Sequence, residues 1–209
     1  VTNTNDAPFF TSTAIEEAEE DVAYTYTVTA SDDDVGDELT FAVSTLPDWL
    51  TFDIGTQALS GTPTNDDVGD HSVVVTVSDG FVTVNQEFTI TVTNTNDAPF
   101  FTSTPTTSAI EDSEYSYTAT ASDIDVGDIL SISGTYPDWL TLVDSADGSA
   151  GLSGTPTNDD VGDHSVVLTV NDGTETVNQE FTITVTNTND APFFTSTAIE
   201  EAEEDVAYT

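Results

Sequence analysis

The sequence predicts an all-β fold, tandem β-sandwiches arranged end to end. Three observations carry this. The thirteen residues Val1–Thr13 (VTNTNDAPFFTST) return unchanged 91 residues on at Val92, and again 93 residues later at Val185, where the identity runs on to Thr209. Between these copies, apolar residues alternate with mostly polar ones in short runs, and glycine-containing turns separate the runs. No stretch longer than one or two turns has helical periodicity, and the abundant Thr favours strands.

In chain order, the Phe9-Phe10 pair after Pro8 opens the first strand. Val22, Tyr24, Tyr26, Val28 and Ala30 alternate next, the pattern of a half-buried strand. Leu39, Phe41 and Val43 repeat it, and Val73, Val75 and Val77 follow. The last strand is the longest, with Val82, Val84, Phe88, Ile90 and Val92 on one face. Turns are expected at Gly36, Gly55, Gly61, Gly69 and Gly80. Roughly seven short strands in a repeat of about 92 residues is the size of an immunoglobulin-like sandwich. The expected boundaries are a linker from a preceding repeat over 1–6, repeat 1 over 7–97, repeat 2 over 98–190, and the start of an incomplete repeat 3 over 191–209.

Composition narrows the function. The 209 residues contain no Lys or Arg and 40 Asp plus Glu, a formal charge of −40. Nucleic-acid binding and attraction to anionic membranes both need cationic side chains, so both are excluded. No stretch approaches the length of a membrane span, and membrane insertion is not expected. Two carboxylates about 4 Å apart at an effective dielectric of ~20 repel by roughly 4 kcal/mol, so clustered acids need counter-cations. With no basic residues, these must be protons, salt or bound metal. The absence of Cys and the presence of only two His argue against zinc or copper and for a hard cation with oxygen ligands.

Aligning the repeats separates acids that hold their place from acids that drift. Glu20-Asp21 falls on Glu111-Asp112 and on Glu204-Asp205. Asp32, Asp34 and Asp37 fall on Asp123, Asp125 and Asp128. Asn65-Asp66-Asp67 falls on Asn158-Asp159-Asp160, and Asp79 on Asp172. Asp33 and Glu38, by contrast, become Ile124 and Ile129. The retained acids lie in loops or at strand ends, where a chain can bend to supply the six to eight oxygens that Ca2+ takes. Glu16, Glu17 and Glu19 have no counterpart in repeat 2 and read as plain surface.

The segment Asn94-Thr95-Asn96-Asp97-Ala98-Pro99 resembles the inter-domain linker of cadherins. Asp123-Ile124-Asp125 resembles their paired aspartates early in the following domain, and Glu20 sits where cadherins carry a calcium-binding glutamate. Asp172, in Asn171-Asp172-Gly173, matches an aspartate that the following domain adds late in its fold. Residues 59–69 (LSGTPTNDDVG), after Pro47-Asp48-Trp49-Leu50, resemble the bacterial dystroglycan-type cadherin-like repeat, an immunoglobulin-like module of large secreted or surface adhesins. That type lacks the Asp-Arg-Glu triplet of animal cadherins, and here Asn65, Asp66 and Asp67 would take its place.

The resemblance implies calcium at the junctions. The first would use Glu20, Asp67, Asn94, Asn96, Asp97, Asp123, Asp125 and Asp172, and the second Glu111, Asp160, Asn187, Asn189 and Asp190. The second is expected to be incomplete within this chain. Asn3, Asn5, Asp6, Asp32, Asp34 and Asp79 would likewise await a preceding repeat. The implied function is a calcium-rigidified stalk or extender of an extracellular bacterial adhesin or matrix fibre. The alternative is a calcium-dependent module recognising polysaccharide or a like repeat, with self-association through the incomplete third repeat as a further expectation. Trp49 and Trp139 could serve sugar contact, but aromatics between Pro and Leu are more often core. His71 and His164 read as polar loop residues. No enzymatic activity is expected, because no Ser-His-Asp set, phosphate loop or nucleophilic Cys is present.

Overall fold

The computed structural model describes residues 4–198, 200–201, 204–205 and 207, so Asn3 and parts of the expected third repeat lie outside the described residues. The chain divides into two compact units. Unit 1 holds Val1–Pro99 together with Asp123–Asp128 and Asp172–Glu175, and unit 2 holds Phe100–Ser122, Ile129–Asn171 and Thr176–Thr209. Two acidic loops of the second repeat therefore belong with the first unit.

Repeat 1 forms β1 (Phe9–Phe10), β2 (Glu17–Glu19), β3 (Tyr24–Thr27), β4 (Ala30–Ser31), β5 (Thr40–Thr45), β6 (Leu50–Asp53), β7 (Ala58–Gly61), β8 (Gly69–Ser78) and β9 (Thr83–Thr93). The sheets are ordered β2-β9-β8-β5 and β3-β7-β6, with β1 paired to β4. Repeat 2 forms β10 (Phe100–Phe101), β11 (Ser108–Ile110), β12 (Tyr115–Ser122), β13 (Ser131–Thr135), β14 (Leu140–Asp144), β15 (Ser149–Gly154), β16 (Gly162–Asn171) and β17 (Thr176–Thr186). Its sheets are β11-β17-β16-β13 and β10-β12-β15-β14. Short 3-10 turns at Asn65–Asp67 and Asn158–Asp160 precede β8 and β16.

The inward face of β8, Val73, Val75 and Val77, is fully buried against Leu59, Val28 and Ile90. Val166, Leu168 and Val170 do the same on β16. Each such side chain contributes about 1.5–3 kcal/mol relative to exposure. Val22 and Val82, placed on buried faces by alternation, are 51% and 39% exposed. Both lie in turns, where the strand period no longer holds. Gly61 is not a turn residue but closes β7, where a Cβ would overlap the Trp49 carbonyl oxygen.

Each repeat enters through one sheet and crosses to the other. β1 pairs antiparallel with β4, whereas β2 pairs parallel with β9. β10 with β12 and β11 with β17 repeat the arrangement. The end of β2 presents Glu20 inward; the end of β11 presents Glu111.

Candidate metal centre

Glu20 follows β2 and is only 1% exposed. Its amide donates to the Thr93 carbonyl at 3.1 Å, and Asp21 turns left-handed with φ 58°, donating its own amide to the Pro63 carbonyl at 2.9 Å. Asp tolerates this conformation better than most residues. The Glu20 carboxylate accepts the Thr95 amide on Oε1 at 2.8 Å and leaves Oε2 buried without a partner. Glu111, also 1% exposed, is held in the same way: Thr188 donates its amide to Oε2 at 3.0 Å, Oε1 has no partner, and Asp112 is left-handed at φ 58°.

In unit 1, Glu20 meets Asp97 and Asp125, with one oxygen of each carboxylate within 4.8 Å of the others. Asp125 is 6% exposed, and its Oδ1 is buried and unpartnered. Asn65 donates Nδ2 to Asp97 Oδ2 at 2.8 Å and keeps its own Oδ1 buried and unpartnered. A second group, also in unit 1, joins Asp123, Asp128 and Asp172. Asp172 Oδ1 accepts the amides of Thr174 and Glu175 at 2.6 Å each, and Oδ2 accepts Asn96 Nδ2 at 3.1 Å. These bonds, the Glu175 amide foremost, lower the Asp172 pKa. Desolvation and then the charges of Asp125, Asp123 and Asp172 raise that of Asp128.

The first repeat's own loop matches this. Asp32, Asp34 and Asp37 form a group, Asp6 donates its amide to Asp34 Oδ2 at 2.8 Å, and Asn5 donates Nδ2 to Asp79 Oδ2 at 2.9 Å. The Val82 amide and Asn5 lower the Asp79 pKa, while desolvation and then Asp32, Asp34 and Asp79 raise that of Asp37. In unit 2, Glu111, Asp112 and Asp190 form the fourth group, and Asn158 donates to Asp190.

Of the residues expected from sequence, Glu20, Asp97, Asp125, Asp123, Asp172, Asp32, Asp34, Glu111 and Asp190 are thus brought into groups. Asp67 and Asp160 stand apart, each capping its 3-10 turn through the amide and hydroxyl of Thr64 or Thr157. Asn94 is exposed. Asn187 and Asn189 donate to the carbonyls of Thr188 and Asp190. Asp37, Asp128 and Asp112 complete groups without having been singled out, although all three keep register between the repeats. His71 and His164 each place Nε2 2.6 Å from the carbonyl of Asp67 or Asp160 and belong to none of the four acid groups. Trp49 and Trp139 are half-buried and pack on the cores, edge-on to Tyr24 and Tyr115.

Three carboxylates at these separations repel by roughly 3 kcal/mol per pair at an effective dielectric of ~20. The partners present are amide N–H groups, which orient the acids but carry no net charge. Glu20 Oε2, Asp125 Oδ1 and Asn65 Oδ1 are buried oxygens with nothing to accept from. A hard divalent cation fits that donor set, and a soft metal does not.

A family model described as Putative Ig domain matches residues 7–93 and again 98–186. No curated protein matches the chain. Among solved structures, the EC1-2 fragment of human protocadherin-24 superposes with a TM-score of 0.56 at 20% identity, covering 87% of this chain and 100% of that one. A second crystal form gives 0.52 at 22% identity over 89% and 100%. An endo-fucoidan hydrolase of glycoside hydrolase family 107 is 32% identical over 90% of this chain, with a TM-score of 0.41, and the chain spans only 30% of its length. The protocadherin likeness extends to the fold of tandem cadherin-like sandwiches.

Proposed function

The chain belongs to the Putative Ig domain family in two tandem copies, and from that premise we propose that it is a run of extracellular structural repeats stiffened by calcium, the stalk or extender of a bacterial adhesin or matrix fibre. The observation that carries the proposal is the buried Glu20 carboxylate, whose partnerless Oε2 belongs to an acid group with Asp97 and Asp125. Glu111 repeats the arrangement with Asp112 and Asp190. A solvated surface patch would not bury a carboxylate oxygen without a partner, nor do so twice.

Glu20, Asp97 and Asp125 would hold one cation, with Asn65 as a neutral oxygen donor. Asp123, Asp128 and Asp172 would hold another, and Glu111, Asp112 and Asp190 a third. The ion neutralises the cluster and ties acids from the first repeat and its linker to loops of the second. Without it, carboxylate repulsion loosens that tie. A ligand that binds only the folded form also raises stability by mass action.

Small-angle scattering and thermal melting, each in calcium and in chelator, test this. Calcium should raise the melting temperature and narrow the distribution of chain dimensions. Identical curves in the two conditions end the proposal.

A further inference from the structure

We propose that each repeat carries a tensile latch, a cluster of side-chain hydrogen bonds that fastens its entering segment to its leaving strand and resists pull along the chain. In unit 1 the latch is built on Ser12, in the crossing between β1 and β2. Gln86 of β9 donates Nε2 to the Ser12 carbonyl at 3.0 Å. Its Oε1 accepts the Tyr26 hydroxyl at 2.8 Å, and that hydroxyl lies 2.7 Å from Ser12 Oγ. Ser12 Oγ in turn accepts the Thr29 amide at 2.9 Å. Three residues on, Tyr24 donates its hydroxyl to the Ile15 carbonyl at 2.8 Å.

Unit 2 builds the same set. Gln179 donates to the Ser103 carbonyl at 2.9 Å, and Tyr117 donates to Gln179 Oε1 at 2.8 Å. Ser103 Oγ lies 2.7 Å from that hydroxyl, and Tyr115 donates to the Thr106 carbonyl at 2.7 Å. The crossing itself drifts, from Ala14-Ile15-Glu16 to Pro105-Thr106-Thr107. The latch tolerates this because on the crossing it grips backbone carbonyls and one retained serine.

Its position gives it the role. Pull enters a repeat before β1 and leaves through the end of β9. β1 holds β4 through only two residue pairs, Phe9↔Ser31 and Phe10↔Ala30. Beyond the crossing, β2 and β9 run parallel over Glu17↔Thr91 to Glu19↔Thr93. Opposed pull on parallel strands loads their bonds together. β2 would still peel from its first residue if the crossing were free, and the latch lies upstream of that point. The network is partly buried, where water competes poorly for its bonds. This inference rests on the stalk reading proposed above but not on the cation.

The test is single-molecule stretching of the full chain between its ends, in calcium chloride and in chelator. Tyr26→Phe with Tyr117→Phe deletes the central hydroxyls. Thr51→Val is the control, since Thr51 donates to the Ser60 carbonyl between β6 and β7, off the path of pull. The latch variant should unfold about tenfold faster at fixed load in both solutions, the loss of one to two hydrogen bonds, and the control should not. If the phenylalanine pair does not fold, Ser12→Ala with Ser103→Ala carries the same expectation. Unfolding at the parental rate, or an equal rise in the control, overturns the latch. A latch effect with no calcium dependence of chain dimensions defeats the cation reading alone.

Discussion

Asp97 donates its backbone amide to Asp125 Oδ2 at 2.7 Å, fastening together two residues whose carboxylates also lie within 4.8 Å of Glu20. In a chain without Lys or Arg, amides do what cationic side chains do elsewhere. Asn65 donates to Asp97, Asn96 to Asp172 and Asn5 to Asp79. Backbone amides, Val82 at Asp79 and Glu175 at Asp172 foremost, join these asparagines in aiming the carboxylates and lowering their pKa. They leave the net charge in place. The acid groups are therefore positioned without being neutralised, which is the arrangement a cation site needs before its ion arrives.

Replacing Glu20 by Gln, and Glu111 by Gln, should raise stability in chelator and lower it in calcium, each relative to the parent. Glutamine keeps an oxygen for the Thr95 or Thr188 amide and removes a buried charge. In chelator the variant should gain about 1–3 kcal/mol, a rise of several degrees in melting temperature. In saturating calcium it should melt below the parent and bind the ion at least about tenfold more weakly. Calorimetry in both buffers measures the pair of shifts. Destabilisation in chelator would mean that the carboxylate is satisfied without a cation.

Stability in chelator should rise as the solution is acidified from neutral. Asp37 and Asp128 have folded pKa values raised above the ordinary 3.8. They bind protons more tightly folded than unfolded, so their contribution is absent at neutral pH and grows as pH falls through those raised values. Asp79 and Asp172 have depressed values, and their contribution is lost as pH falls below 3.8. The maximum should lie in the mildly acidic range just above 3.8. Melting curves from pH 7 to pH 3 locate it, and Asp37→Asn with Asp128→Asn should flatten the rise on its neutral side. A maximum that stays at neutral pH contradicts the assignment.

The sandwich was legible because Val73, Val75 and Val77, and Phe88, Ile90 and Val92, state the strand period in their side chains. β6 and β7 were not read in advance: Leu50–Asp53 and Ala58–Gly61 are short and interrupted by small or polar residues. The acid groups were partly legible, since internal duplication exposed which acids keep register. What register cannot give is side-chain direction. Asp67 and Asn65 are two residues apart on one 3-10 turn, yet Asp67 turns back to cap Thr64 while Asn65 reaches Asp97. The latch was hidden for a related reason, because Gln86 and Ser12 are 74 residues apart and one partner is a backbone carbonyl.

Alanine at Gly61 or Gly154 should prevent the affected repeat from folding, whereas alanine at Gly151 should be tolerated. Gly61 and Gly154 pass so close to the chain at Trp49 and Trp139 that an added Cβ would overlap the tryptophan's carbonyl oxygen. Neither backbone can retreat, since Gly61 is paired with both Tyr24 and Leu50, and Gly154 with both Tyr115 and Leu140. A forced overlap with backbone in a packed sheet costs about 3 kcal/mol or more. Gly151 lies in β15 with open space where its Cβ would stand. Its replacement restricts the unfolded chain and should leave stability level or raise it by about 0.4–1 kcal/mol. Chemical denaturation of the three variants decides the matter. Equal losses at Gly151 and Gly154 would show that sheet pairing, and not the approach to Trp139, sets the requirement for glycine.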